Sequence, residues 1–148
     1  MPNPNLIPLS LYIHIPWCVK KCPYCDFNSH ESRTPIDFVG YVDALLDDLK
    51  TQLSFVQGRK IATIFIGGGT PSLLPIAQYR QLFAGINAQL TLTHDCEITM
   101  EANPATVEHA PFHEYLAVGI NRLSLGVQSF QTQKLAALGR IHNPQQAL

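Results

Sequence analysis

The stretch Leu11-Tyr12-Ile13-His14-Ile15-Pro16 carries a large apolar side chain at every second position and stops at a proline. Read with the two-residue period of a strand, Leu11, Ile13 and Ile15 point one way and Tyr12, His14 and Pro16 the other. The same pattern returns at Glu97-Ile98-Thr99-Met100-Glu101-Ala102-Asn103, where Ile98, Met100 and Ala102 oppose Glu97, Thr99, Glu101 and Asn103. It returns again at Arg122–Gln128, with Leu123, Leu125 and Val127 against Arg122, Ser124, Gly126 and Gln128. Together with the apolar run Ile61–Ile66, these stretches predict four strands: Leu11–Ile15, Ile61–Ile66, Ile98–Ala102 and Leu123–Gln128.

Between the strands the spacing changes to three and four. Phe38, Val42, Leu45, Leu49, Leu53 and Val56 mark one amphipathic helix with Pro35 near its first turn. Ile76, Tyr79, Leu82, Phe83, Ile86 and Leu90 mark a second helix, just after Pro75. Shorter helices are expected over 110–118 and 131–138. Strand and helix alternate four times, which predicts an α/β fold with right-handed crossovers and a parallel sheet. A parallel sheet covered on both faces should read as continuous apolar runs. The alternation says instead that one face packs on helices while the other lines a polar interior. The expected architecture is therefore a partial, TIM-like (β/α) barrel with its site at the carboxyl ends of the strands. Four βα units fall short of the ~200 residues that a closed barrel needs. The expectation is that residues 1–148 form the N-terminal portion of a longer barrel domain.

Composition narrows the function. Ten Lys+Arg face eleven Asp+Glu, for a net charge of −1. That balance argues against a nucleic-acid partner, whose phosphates call for excess cations, and against a polybasic membrane contact. No run approaches the ~18 apolar residues of a spanning helix, and the N-terminus lacks the features of a secretory signal. A cytoplasmic protein is expected, so the cysteines need a reducing-compartment explanation. Cys18, Cys22 and Cys25 lie close together just after the first strand, while Cys96 stands apart. An odd trio is poor material for disulfides. Three thiolates spaced C-x3-C-x2-C suit an iron–sulfur cube and leave one iron open for an exchangeable ligand. Zinc is the alternative, although a structural zinc site would more naturally offer two C-x2-C pairs.

The cysteine spacing after a first strand resembles the signature of radical S-adenosylmethionine (SAM) proteins. Tyr12-Ile-His-Ile-Pro-Trp-Cys18, Gly67-Gly-Gly-Thr-Pro-Ser72, Glu101-Ala-Asn-Pro104 and Ser124-Leu-Gly-Val-Gln-Ser-Phe130 narrow the resemblance. Together they are similar to the oxygen-independent coproporphyrinogen III oxidase family, most closely its heme-chaperone branch, from about Leu11 to His142. The resemblance implies that Cys18, Cys22 and Cys25 hold a [4Fe-4S] cluster whose fourth iron is chelated by SAM. It implies SAM contacts from Tyr12, Tyr24, Gly68, Gly69, Thr70, Glu101, Gln128 and Arg140. The first strand's polar face, where Tyr12 lies, and the strand exits carrying Glu101 and Gln128 agree with those roles. Tyr12, Glu101 and Gln128 are expected to converge on the mouth of the cysteine loop. No Lys follows the glycines, so they are not a nucleotide P-loop. His14 reads either as a site residue or as a hydrogen-bonded core histidine. His142 is expected near the ligand end, and His30, His94, His109 and His113 on the surface. Trp17 and Phe27 flank the cysteines and would shield the cluster.

The family offers two functions on these motifs. One is a carrier that binds heme and passes it to heme-accepting apoproteins. The other is a coproporphyrinogen III dehydrogenase, a radical SAM enzyme that makes protoporphyrinogen IX by oxidative decarboxylation. The enzymes carry a further cysteine two positions after the third ligand, where this chain has Phe27, and a longer arm before the first strand. Both departures point to the carrier. Heme, the cluster and SAM are thus the expected cofactors, with an electron donor needed if radical chemistry occurs. A radical SAM enzyme with another substrate is a third reading.

Overall fold

The computed structural model describes residues 7–105 and 110–147. The strands are β1 (Leu9–Ile15), β2 (Trp17–Cys18), β3 (His30–Glu31), β4 (Ile61–Gly68), β5 (Leu92–Ala102) and β6 (Arg122–Leu125). The helices are α1 (Phe38–Val56), α2 (Ile76–Gln89), α3 (Phe112–Ala117) and α4 (Thr132–Ala137), with 3-10 turns at Pro71–Leu73 and Pro144–Ala147. β1, β4, β5 and β6 form one sheet in that order, and every neighbouring pair is parallel. This is the expected α/β arrangement with helical crossovers. No helix among the described residues is long and apolar enough to cross a membrane.

The two faces separate as the alternation requires. Ile13 and Ile15 of β1, Ile64 and Ile66 of β4, and Ile98 and Met100 of β5 are buried against Val42 and Leu49 of α1 and Leu82 and Ile86 of α2. Each such side chain contributes about 1.5–3 kcal/mol through its removal from water. α1 starts where the Asp37 carboxylate accepts from Gly40 N at 2.9 Å, satisfying one of the helix's free N–H groups. The opposite face is polar and aromatic. The Thr63 hydroxyl donates to Ser10 Oγ at 2.7 Å, Arg122 pairs with Glu97 at 3.1 Å, and the Tyr12 and Phe65 rings stack 6.3 Å apart.

β1 starts at Leu9 and β4 runs on to Gly68, each two residues beyond the expected strand, the short β2 and β3 are additions, and three further details depart from the sequence reading. β5 begins at Leu92 rather than Ile98, because its first residues pair across an irregularity. Ile61 faces Leu92, but Thr63 already faces Glu97. Thr99, on the polar face, is buried, roofed by Arg122, whose Nη1 donates to its hydroxyl at 3.3 Å. β6 ends at Leu125, not Gln128. Gly126 N still donates to Ala102 O at 2.9 Å, but Val127 N turns back to Leu125 O at 2.9 Å. Gln128 then adopts a left-handed backbone, φ 65°.

Two measurements check this account. Asn121 extends the sheet through its side chain, accepting from Ile98 N at 2.8 Å and donating to Cys96 O at 3.0 Å. Asn121→Ala is expected to lower stability by about 1–3 kcal/mol in urea unfolding, because it orphans both backbone groups. At Gln128, Gly is expected to be more stable than Ala by about 1 kcal/mol, since only glycine takes this φ without a Cβ penalty.

Candidate functional site

The cysteine loop hangs from a pinched base. β2 and β3 pair in parallel, Trp17 with His30 and Cys18 with Glu31, so the chain leaves and returns at one point. His30 N donates to Pro16 O at 2.7 Å and Ser32 N to Cys18 O at 3.1 Å. Within the loop, Cys25 N donates to Cys22 O at 3.0 Å, a turn around Pro23 and Tyr24. Lys21 Nζ donates to Phe27 O at 3.2 Å and Ser29 O at 3.0 Å, closing the loop's far side. The side chain of His14, in β1, bridges to the loop. Its Nε2 donates to Asn28 O at 2.8 Å, so its Nδ1 is the acceptor for the Tyr12 hydroxyl at 2.9 Å.

The glycine-rich turn after β4 braces this loop. Gly69 N donates to Ile15 O and Thr70 N to Trp17 O, both at 2.7 Å. A Cβ at Gly69 would stand 2.5 Å from Trp17 O, and one at Gly68 (φ 116°) would stand 2.8 Å from Ile15 O. Glycine is needed here so that backbone can approach backbone, a reason the sequence did not disclose.

Between the braced loop and the strand ends lies a cavity of about 330 Å³, within the usual range of small-ligand sites. Cys18, Cys22 and Cys25 line it, as do Gly68, Gly69 and Thr70 of the turn. So do Glu101 at the end of β5, Gln128 beyond β6, Tyr24 and Arg140. Arg140 Nη2 donates to Asn103 Oδ1 and to Gly126 O, and Nη1 to Cys22 Sγ at 3.5 Å and Tyr24 Oη at 3.4 Å. Burial, and then the bond to Cys22, raise the Tyr24 phenol's pKa, with Arg140 pulling the other way. Ten expected site residues therefore share one cavity: the three cysteines and seven of the eight positions assigned to SAM.

Tyr12 does not join them. It borders a second, largely apolar hollow of about 390 Å³ beside β1 and α1, with its hydroxyl held by His14 and its ring by Phe65. Burial, then the nearby Glu101 charge, raise its pKa. His142 is only 4% exposed and donates from Nε2 to Val127 O at 3.0 Å. Burial, then the Arg140 charge, lower its pKa, with the bond to Val127 O pulling the other way. Trp17 faces away from the cysteines, edge-on to Phe38 and Tyr41 of α1, whereas Phe27 lines the cavity. Cys96 is buried in the helix-side core at the start of β5. His30, His94 and His113 are exposed, and His109 lies outside the described residues. Sequence reasoning missed Lys21, which braces the loop, and Asn103, which lines the cavity and donates to Thr70 Oγ1 at 3.4 Å. Asn103 was signalled only by its place on the polar face after Glu101.

Among the described residues no three His, Cys, Asp or Glu side chains converge as ligands of one metal ion would. A cube held at three corners places each thiolate on a different iron, so it does not require that convergence. The cavity offers such a group three thiols on a tied loop. A bound organic ligand would meet a carboxylate at Glu101, an amide at Gln128 and the buried, unpartnered Nε of Arg140. The donor set fits a cluster with an amino-acid ligand.

The Radical SAM superfamily model matches residues 12–148. The chain is 58% identical to the heme chaperone HemW of Escherichia coli strain K12, over 97% of this chain and 38% of that protein. It is 51% identical to HemW of Haemophilus influenzae strain Rd, over 97% of this chain and 39% of the relative. The chain thus spans well under half the length of these relatives. Among solved structures, the radical SAM enzyme coproporphyrinogen III oxidase (HemN) of Escherichia coli superposes with a TM-score of 0.85 at 33% identity, covering 95% of this chain and 32% of that one. The match in sequence runs through the strand, loop and turn that build the cavity, and the parallel sheet beneath it is shared: this chain belongs to the radical SAM superfamily.

Proposed function

We propose that the chain supplies the cluster- and SAM-binding part of a heme chaperone, a protein that binds heme and hands it to apoproteins. The observation that carries this reading is the gathering of Cys18, Cys22 and Cys25 with Glu101, Gln128 and Arg140 around one cavity at the strand ends. In it, the three cysteines would hold a [4Fe-4S] cluster, leaving one iron for SAM. When bound, the pair supplies a one-electron centre with an exchangeable ligand. The chain's own part is to orient and shield. Gly68–Thr70 support the loop from below, and Glu101 and Gln128 present an acceptor and an amide to the ligand's polar end. Arg140 closes the cavity's side, bonded to Asn103 and Gly126.

The choice between carrier and enzyme rests on position 27. Phe27 lines the cavity and is 62% exposed, where the dehydrogenases of the family carry a thiol. An apolar ring there can cover a cluster but cannot take part in proton or hydrogen-atom transfer. The similarity to HemN, 33% identical with a TM-score of 0.85, keeps the dehydrogenase as the second reading. The protein's high identity to HemW proteins favours the first.

The anaerobically reconstituted protein, given heme in one experiment and coproporphyrinogen III with SAM and a reductant in another, separates the two. Stoichiometric heme uptake, seen as a Soret band that co-elutes with the protein, is expected without porphyrinogen turnover. Formation of protoporphyrinogen IX would overturn the carrier assignment.

A further inference from the structure

Arg140 reaches back from the segment after α4 to the cysteine loop, and its two terminal nitrogens do different work. Nη2 is held by Asn103 Oδ1 and Gly126 O, acceptors at the carboxyl ends of β5 and β6. Asn103 is in turn fixed to the glycine-rich turn, its Nδ2 donating to Thr70 Oγ1 at 3.4 Å. With one side of the guanidinium anchored on the sheet, Nη1 faces the loop and donates to Cys22 Sγ at 3.5 Å, within range for an N–H···S bond. A planar fork with a permanent charge holds its two terminal nitrogens apart in a fixed geometry, so each can serve one side, where an ammonium is a single point of donation.

We propose that Arg140 is a positioning residue for the cluster: its bond to Cys22 aims that sulfur at its iron and raises the reduction potential. This rests on the reading that Cys22 is a cluster ligand. Reduction adds one negative charge to the cube. A fixed cation donating to a ligand sulfur stabilises the reduced, more negative state over the oxidised one. Hydrogen bonds to the sulfurs are among the factors that set the potential of such clusters. Removing the guanidinium therefore lowers the potential, and leaving it in place without its Asn103 anchor lowers it less. Cys18 and Cys25 serve as internal contrast. Cys18 is buried at the base of the loop and Cys25 Sγ has the Ser29 hydroxyl at 3.9 Å; among the described residues Cys22 is the cysteine of the three whose sulfur is bonded to a cation.

The test is an EPR-monitored redox titration of the reconstituted protein without SAM, so that any contact of Arg140 with SAM does not enter. Wild type, Arg140→Lys, Arg140→Ala and Asn103→Ala are compared, with iron and sulfide counted in each. The expected order of midpoint potentials is wild type highest, Arg140→Lys and Asn103→Ala between, and Arg140→Ala lowest. If Arg140→Ala fails to retain iron, Arg140→Lys and Asn103→Ala carry the decision by the same downward shift. Variants that keep their iron and titrate with wild-type potentials overturn the proposal while leaving the three-cysteine reading intact. A wild-type protein that binds no iron–sulfur cluster overturns both.

Discussion

Two backbone hydrogen bonds, Gly69 N to Ile15 O and Thr70 N to Trp17 O, fasten the entrance of the cysteine loop to the end of the neighbouring strand. Everything at the site depends on that close approach. It is possible only because positions 68 and 69 carry no Cβ, and it fixes where the thiol-bearing loop leaves the sheet. The second tether is the β2–β3 pinch, which returns the chain to Pro16 after the loop. Between these ties the loop is short enough that two side-chain braces, Lys21 and His14, complete its shape. A site built this way is positioned by the parallel sheet's carboxyl edge, where neighbouring strand ends bring distant residues together.

The sheet's division into two faces explains why one edge carries the chemistry. The isoleucine-rich side is closed by α1 and α2 and holds the fold together. The other side is freed from packing and carries Glu101, Ser124 and the hydroxyls of Thr63 and Ser10. Its aromatic pair, Tyr12 and Phe65, sits deeper along the strands than the cavity. The Tyr12–His14–Asn28 chain of hydrogen bonds links that pair to the cysteine loop without placing Tyr12 in the cavity.

Much of this was legible in the residues. Alternation in β1, β5 and β6 told which side chains face which way, and the helical spacing of Phe38–Val56 and Ile76–Leu90 located the cover. What escaped was set by contacts between distant segments. Nothing near Leu92 signals that β5 starts there, because its early pairing is with Ile61 across an irregular register. The end of β6 is hidden in the sequence because Gly126, Val127 and Gln128 keep the two-residue pattern while the backbone turns. Trp17 lies beside a cysteine in sequence but packs on α1, since its neighbours are decided by the helix that follows the loop. Asn103 acts through an arginine far along the chain, and Lys21 through carbonyls within its own loop, where no periodic pattern encodes the partner. The glycines of 67–69 stand out in the sequence, but the backbone that Gly68 and Gly69 approach, Ile15 O and Trp17 O, is revealed only by the fold.

The central claim is that three thiolates grip a cluster whose remaining iron is open to a ligand from the cavity. The most direct measurement is the EPR spectrum of the reduced, anaerobically reconstituted protein before and after addition of SAM, with metal content determined alongside. About four irons per chain and a spectrum that changes when SAM is added are expected. A tetrahedral zinc–thiolate centre, or a cluster signal indifferent to SAM, would contradict the account.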